Sequence, residues 1–169
     1  LDMAVEGQGH FQILQQDGTV AYTRDGGFKL SEEGELVTAG GLLLQPAIII
    51  PQEANSISVG RDGTVSVELA NGGGSQQLGQ IQLARFVNTS GLEALGANLF
   101  RETAASGAPI LLNPTEQGAG AIAQGMLEAS NVNVVEELVT MIETQRAYEV
   151  NSKAISAVDS MLRFLNNNL

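Results

Sequence analysis

Ser58-Val59-Gly60-Arg61-Asp62-Gly63-Thr64-Val65-Ser66-Val67-Glu68-Leu69 sets an Asp-Gly pair between two segments of alternating polarity. Glycine accepts the positive φ that a two-residue hairpin demands, so this stretch predicts two antiparallel strands joined by a tight turn. Asp17-Gly18 and Asp25-Gly26 repeat the device on either side of Val20-Ala21-Tyr22-Thr23, and Gly34 separates Phe28-Lys29-Leu30 from Leu36-Val37-Thr38. Ile81-Gln82-Leu83 alternates again after the turn-forming run Asn71-Gly72-Gly73-Gly74-Ser75. The pattern predicts about seven to nine strands, mostly antiparallel, with Phe11, Ile13, Phe28, Leu30, Val65, Val67, Ile81 and Leu83 facing inward. Ser90 followed by Glu93 predicts a capping box for one helical turn ending at Gly96, and residues 101–125 read as a long loop.

The tail obeys different rules. All 20 glycines lie between Gly7 and Gly125 and all four prolines between Pro46 and Pro114, which leaves the last 44 residues without a helix breaker. Asn133 suits an N-cap, Glu136 stands where it completes a capping box, and Glu136 and Glu137 both suit the positive end of a helix. A helix from Val134 to Leu165 is predicted, ~45–50 Å long. Val134, Met141, Tyr148, Ile155, Leu162 and Leu169 recur every seven residues. Leu138, Ala147, Ala154, Val158, Met161 and Leu165 widen that stripe. Such a seam calls for another helix, the alternative being a helix folded onto its own domain, and its candidate contact residues are Val134, Leu138, Met141, Ile142, Tyr148, Ile155, Val158 and Leu162. The fold class is therefore mainly β: an antiparallel β domain over residues 1–125, then one long C-terminal α-helix within residues 126–169.

Charge and composition exclude several functions. Eight basic against 19 acidic residues give a net charge of -11, which argues against nucleic acid and anionic membranes as partners. There is no cysteine and a single histidine, His10, so cysteine-type zinc sites, thiol nucleophiles and most histidine metal sites are ruled out. The richest apolar run, Leu42 to Ile50, is interrupted by Gln45 and Pro46 and is too short to span a bilayer. Asp17-Gly18-Thr19 and Asp62-Gly63-Thr64 share the composition of the aspartic-protease Asp-Thr-Gly but not its order, and read as turns. Gly7-Gln8-Gly9 and Gly72-Gly73-Gly74 lack the rest of a phosphate loop. His10 heads the strand Phe11-Gln12-Ile13-Leu14 in a structural role. Glu32-Glu33 and Glu136-Glu137 read as a solvated face and a helix start. No catalytic, metal or cofactor site is predicted. A β-rich carbohydrate-binding module or hydrolase would need a cleft of converging acids, and an adhesin would need a fixed repeat, which the chain lacks.

The tail from Ser130-Asn131-Val132-Asn133 through Gln145-Arg146-Ala147-Tyr148-Glu149 closely resembles the C-terminal signature of the flagellar rod and hook protein family. Gly7-Gln8-Gly9-His10-Phe11-Gln12, Tyr22-Thr23-Arg24-Asp25-Gly26, Leu36-Val37-Thr38-Ala39-Gly40-Gly41 and Gln45-Pro46-Ala47-Ile48 resemble the distal-rod branch of that family more than the proximal-rod or hook branches. The resemblance covers nearly the whole chain. It implies a structural, non-enzymatic subunit of a helical tube that transmits torque and encloses an export channel, with a coiled-coil inner layer and a β-rich outer wall. The implied partners are identical subunits, proximal-rod, hook and ring proteins, and the flagellar export apparatus. The implied location is the basal body, crossing the periplasm without membrane insertion. Family members begin with another long helix. Leu1-Asp2-Met3 starts within the outer domain, so a shortened chain is expected.

Overall fold

The computed structural model describes residues 1–70 and 74–167, with side chains through residue 163. The run Asn71-Gly72-Gly73, Leu169 and the Leu165 side chain, each read above as part of a turn or of the seam, lie outside the described residues. The strands are β1 (Met3–Glu6), β2 (Phe11–Leu14), β3 (Val20–Thr23), β4 (Lys29–Leu30), β5 (Leu36–Val37), β6 (Leu43–Gln45) and β7 (Ala54–Val59). They continue with β8 (Thr64–Leu69), β9 (Ser75–Gln80), β10 (Leu83–Arg85), β11 (Glu93–Gly96), β12 (Leu99–Arg101), β13 (Ile110–Leu112) and β14 (Ala121–Gln124). The helix α1 spans Val134–Asn167. The chain divides into two units, Leu1–Glu128 and Ala129–Leu169.

Asp62-Gly63 does close a hairpin, but over three loop residues rather than two. The Gly60 N–H donates to the Thr64 carbonyl at 2.8 Å, and the Gly63 N–H donates to the Gly60 carbonyl at 2.9 Å, with φ +82° at Gly63. The same pair of bonds and a glycine at positive φ recur at Gln15–Thr19, Ser31–Glu35 and Thr38–Leu42. One turn design thus joins β2 to β3, β4 to β5, β5 to β6 and β7 to β8. Asp25-Gly26 is a correction to the sequence reading: it closes no such turn. Gly26 has ordinary φ, and a Cβ there would stand 1.5 Å from the Met3 carbonyl oxygen, so its lack of a side chain lets β1 approach. The two-residue turn is elsewhere, at Ala97-Asn98 between β11 and β12, with φ of 49° and 60°.

All strand pairs are antiparallel. A seven-stranded sheet runs β11-β12-β3-β2-β6-β5-β4, a three-stranded sheet runs β7-β8-β9, and β1-β14 and β10-β13 form ribbons. The 14 strands among the described residues exceed the number expected. The surplus comes largely from residues 93–124, read above as a helical turn followed by a loop. The helical turn is confined to Thr89–Gly91, before that stretch, and Glu93–Gly96 is a strand because its backbone pairs with β12. β13 and β14 gain their partners from distant sequence, β10 and β1. One core draws Met3 and Val5 from β1, Phe11 and Ile13 from β2, Val65 and Val67 from β8, and Ile122 from β14. Phe11 meets Phe28 edge-on at 5.2 Å. Seven of the eight predicted inward residues are buried, whereas Leu30 is 43% exposed. Leu30 lies in a two-residue strand at the end of the large sheet, with no further strand to cover it.

The outer edge of β7 is closed by a side chain. Gln124 Nε2 donates to the Ile57 carbonyl at 2.9 Å while its Oε1 accepts from the Val59 N–H at 2.8 Å. The amide thus stands in for one residue of a missing strand. Gln124→Ala should lower stability by about 1–2 kcal/mol in urea denaturation, because the half-buried Val59 N–H loses its acceptor. Exchange of the Val59 amide should accelerate with it.

Candidate functional site

In α1 the expected cap is formed in part: Asn133 Oδ1 accepts from the Val135 N–H at 3.1 Å, and Glu136 and Glu137 lie in the first turn. Thr140 and Thr144 donate to the carbonyls four residues back, and Asp159 pairs with Arg163 at 3.0 Å, all on exposed surface. Every residue from 129 to 163 is exposed. The predicted contact residues are among them, with Val134 67%, Tyr148 76%, Ile155 70% and Leu162 60% exposed, beside Leu138, Met141, Ile142 and Val158. The seven-residue series drifts by ~20° per heptad on a straight helix, so keeping it against a partner requires a left-handed supercoil. A feature not read from the sequence is a second apolar line. Val139, Val150 and Ala157 each stand two residues from Met141, Tyr148 and Ile155, which is ~200° around the helix. Apolar residues on two sides suit a helix with more than one neighbour.

Two turn acids of the body, Asp17 and Asp62, are engaged in structure. Asp17 accepts from the Thr19 N–H at 2.9 Å and from its hydroxyl at 2.6 Å, and Asp62 does the same for Thr64 at 3.2 and 2.7 Å. Hydrogen bonds from the threonine hydroxyls, then from the amides, hold both carboxyls below the usual range. A lowered carboxylate pKa contributes stability above the unfolded value that fades as pH falls through the folded one. An NMR titration should therefore find both midpoints below the ordinary 3.8. Thr64→Val should move only that of Asp62 upward.

His10 is buried at the head of β2, where it exchanges backbone bonds with Ala84 and lies edge-on to Phe86 at 5.8 Å and Phe100 at 6.3 Å. Burial, then the nearby Arg24 charge, lowers its pKa. Its Nδ1 is buried without a hydrogen-bond partner. The ring borders a cleft of about 320 Å³ between the β1–β2 loop and the end of β10, lined also by Arg24, Arg85 and Phe86. Arg24 reaches the carbonyls of Val5, Gly7 and Gly9 and pairs with Glu128 at 2.7 Å.

The chain joins a β body, whose turn acids Asp17 and Asp62 are engaged in hydrogen bonds, to a 34-residue helix with exposed apolar residues on two sides. The flagellar hook and basal-body rod proteins are of this kind, and the chain belongs to their family. Residues 4–67 match the flagellar hook protein FlgE/F/G D1 domain, and residues 123–168 match the flagellar basal body rod FlgEFG protein C-terminal region. The chain is 52% identical to the flagellar basal-body rod protein FlgG of Buchnera aphidicola subsp. Acyrthosiphon pisum over 97% of its length. It is 51% identical over 98% to that of Borreliella burgdorferi, and 43% over 99% to that of Bacillus subtilis. It spans 63% of the first two relatives and 64% of the third.

Proposed function

We propose that the chain is part of a structural, non-enzymatic subunit of the distal rod, which polymerises into a helical tube that transmits torque and encloses the export channel. The observation that carries this reading is the uncovered helix: an isolated amphipathic helix draws little stability from propensity alone, so a seam of this length needs neighbours. Residues 126–169 then supply the inner coiled-coil layer through Val134, Leu138, Met141, Ile142, Tyr148, Ile155, Val158 and Leu162, and residues 1–125 supply the outer wall. Other copies of the subunit are the first partners. Proximal-rod, hook and ring proteins and the export apparatus follow from the same placement in the basal body, across the periplasm. Among the described residues no helix is long and apolar enough to cross a membrane. The acidic balance disfavours nucleic acid.

Tyr148→Glu in the full-length subunit tests the reading, because it puts a charge into the seam without touching the body. The critical concentration for rod assembly, followed by sedimentation and electron microscopy, should rise about a hundredfold, or ~3 kcal/mol per contact. Dilute protein should exchange the amides of residues 134–163 rapidly. Unchanged assembly, or slow exchange of the dilute helix, would remove the seam from the interface.

A further inference from the structure

Among the charged groups of the body that form no ion pair among the described residues, two stand in ordered settings. The first is Arg85, half-buried at the end of β10, which donates through Nη1 to the Gln117 carbonyl at 2.9 Å and pairs with no carboxylate. It lines the same cleft as His10, which is only 7% exposed and whose Nδ1 is unpartnered. The other guanidinium there, Arg24, is already matched by Glu128. Phe86 and the 84% exposed Val87 give the cleft an apolar rim. In a body whose first 129 residues hold 14 acidic and 5 basic side chains, this cleft keeps an unmatched positive charge. A partly desolvated guanidinium without a carboxylate gains most from an incoming anion.

The second feature is the β4–β5 loop. Its Ser31 and Gly34 backbone groups are bonded as described, the Glu35 N–H donates to Ser31 Oγ at 3.1 Å, and the Ile50 N–H donates to the Gly34 carbonyl at 2.8 Å. A Cβ at Gly34 would stand 2.2 Å from the Ile50 oxygen, so the loop is fixed against that backbone. At its tip Glu32 and Glu33 are exposed and form no ion pair or side-chain hydrogen bond. Exposed Leu30 and Ile49 flank them. The loop matches the cleft in charge and in its apolar border, and both are preorganised. They cannot meet within one body, since β6 and β5 separate β2 from β4 by ~14 Å at ~4.8 Å per strand.

We infer that the Glu32-Glu33 loop of one copy docks into the Arg85–His10 cleft of the next, as a head-to-tail contact between β bodies. Two different patches make the contact heterologous, so it propagates along an array instead of closing a dimer. The inference rests on the polymer reading and adds a body contact to the helix seam.

The chain contains no cysteine, so introduced thiols report alone. A short bismaleimide, long enough to replace an arginine and a glutamate side chain, should join full-chain Arg85→Cys to Glu33→Cys at least about tenfold more than either variant to itself. A chain with both substitutions should give a ladder. Arg85→Glu should weaken self-association about tenfold, and mixing it with Glu33→Arg should restore it, which a folding defect would not allow. Tyr148→Cys reports on the seam in parallel. Seam cross-links without the body pair would overturn this inference and leave the polymer reading standing, and loss of both would overturn both. A dimer without a ladder would overturn the head-to-tail contact.

Discussion

Gly26→Ala should cost the body about 4 kcal/mol or more and detach its first strand. The added methyl would stand 1.5 Å from the Met3 carbonyl oxygen and 2.6 Å from its carbonyl carbon, and both are backbone atoms that no rotamer change can move. β1 must therefore retreat. The Met3 N–H would lose its 3.0 Å bond to the Gly26 carbonyl, and the neighbouring Asp2–Gly27 bridge would open. Met3 and Val5, now 0% and 5% exposed, would leave the core at ~1.5–3 kcal/mol each, and β14 would lose β1, its strand partner. Gly18→Ala is the control. Gly18 has φ +82° with nothing within 4 Å of a new Cβ, so only the left-handed backbone cost of ~1–2 kcal/mol applies. Urea denaturation of the two variants separates the effects. Equal midpoints would mean that the close approach of β1 contributes nothing.

Gly26 also marks a boundary of sequence reasoning. Asp25-Gly26 and Asp62-Gly63 are alike as dipeptides, yet Gly63 supplies a positive φ as well as clearance from the Ile81 carbonyl oxygen, 2.6 Å from an added Cβ, whereas Gly26 supplies only an absent Cβ. Only the strand that arrives from residues 3–6 tells them apart. The reverse error falls at Ala97-Asn98, where a two-residue turn takes positive φ at an alanine and so carries no composition signal. Strands β2, β3, β7 and β8 were legible because their alternation and their turns are local. β13 and β14 were not, because each is a strand by virtue of a partner at least 25 residues away. The helix was legible almost to its last turn, since an N-cap, acids in the first turn and the absence of glycine and proline all agree. Its heptad stripe was legible from spacing alone, and Val134, Met141, Tyr148, Ile155 and Leu162 lie exposed along the helix. The second line through Val139 and Val150 went unread: against the stronger heptad it is noise until both faces of the helix are seen exposed through residue 163. The cleft was illegible for another reason, since Arg85 and His10 are 75 residues apart and meet only through the His10–Ala84 bridge.

Arg24→Ala should destabilise the body by about 3 kcal/mol, well beyond what an exposed ion pair is worth. One guanidinium gathers the carbonyls of Val5 at 3.0 Å, Gly7 at 3.0 Å and Gly9 at 3.1 Å, while Nε donates to Glu128 at 2.7 Å. Three convergent carbonyls repel one another unless a cation sits among them, and Gly7 and Gly9 are held at φ +120° and +143° to make that convergence. Arg24→Lys should recover only part of the loss, because a single ammonium cannot fork to both sides of the loop. Glu128→Gln should change stability by less than ~1 kcal/mol, since its carboxylate is 45% exposed and the carbonyl bonds persist. The three variants therefore separate the loop-gathering role of Arg24 from its ion pair. Denaturation midpoints in the order parent, Glu128→Gln, Arg24→Lys, Arg24→Ala support it, whereas equal losses for Glu128→Gln and Arg24→Ala would reduce Arg24 to a surface charge. Because Glu128 is the last residue of the body unit, Glu128→Gln should also loosen residues 125–128 selectively, visible as faster amide exchange there while β1 to β3 stay protected.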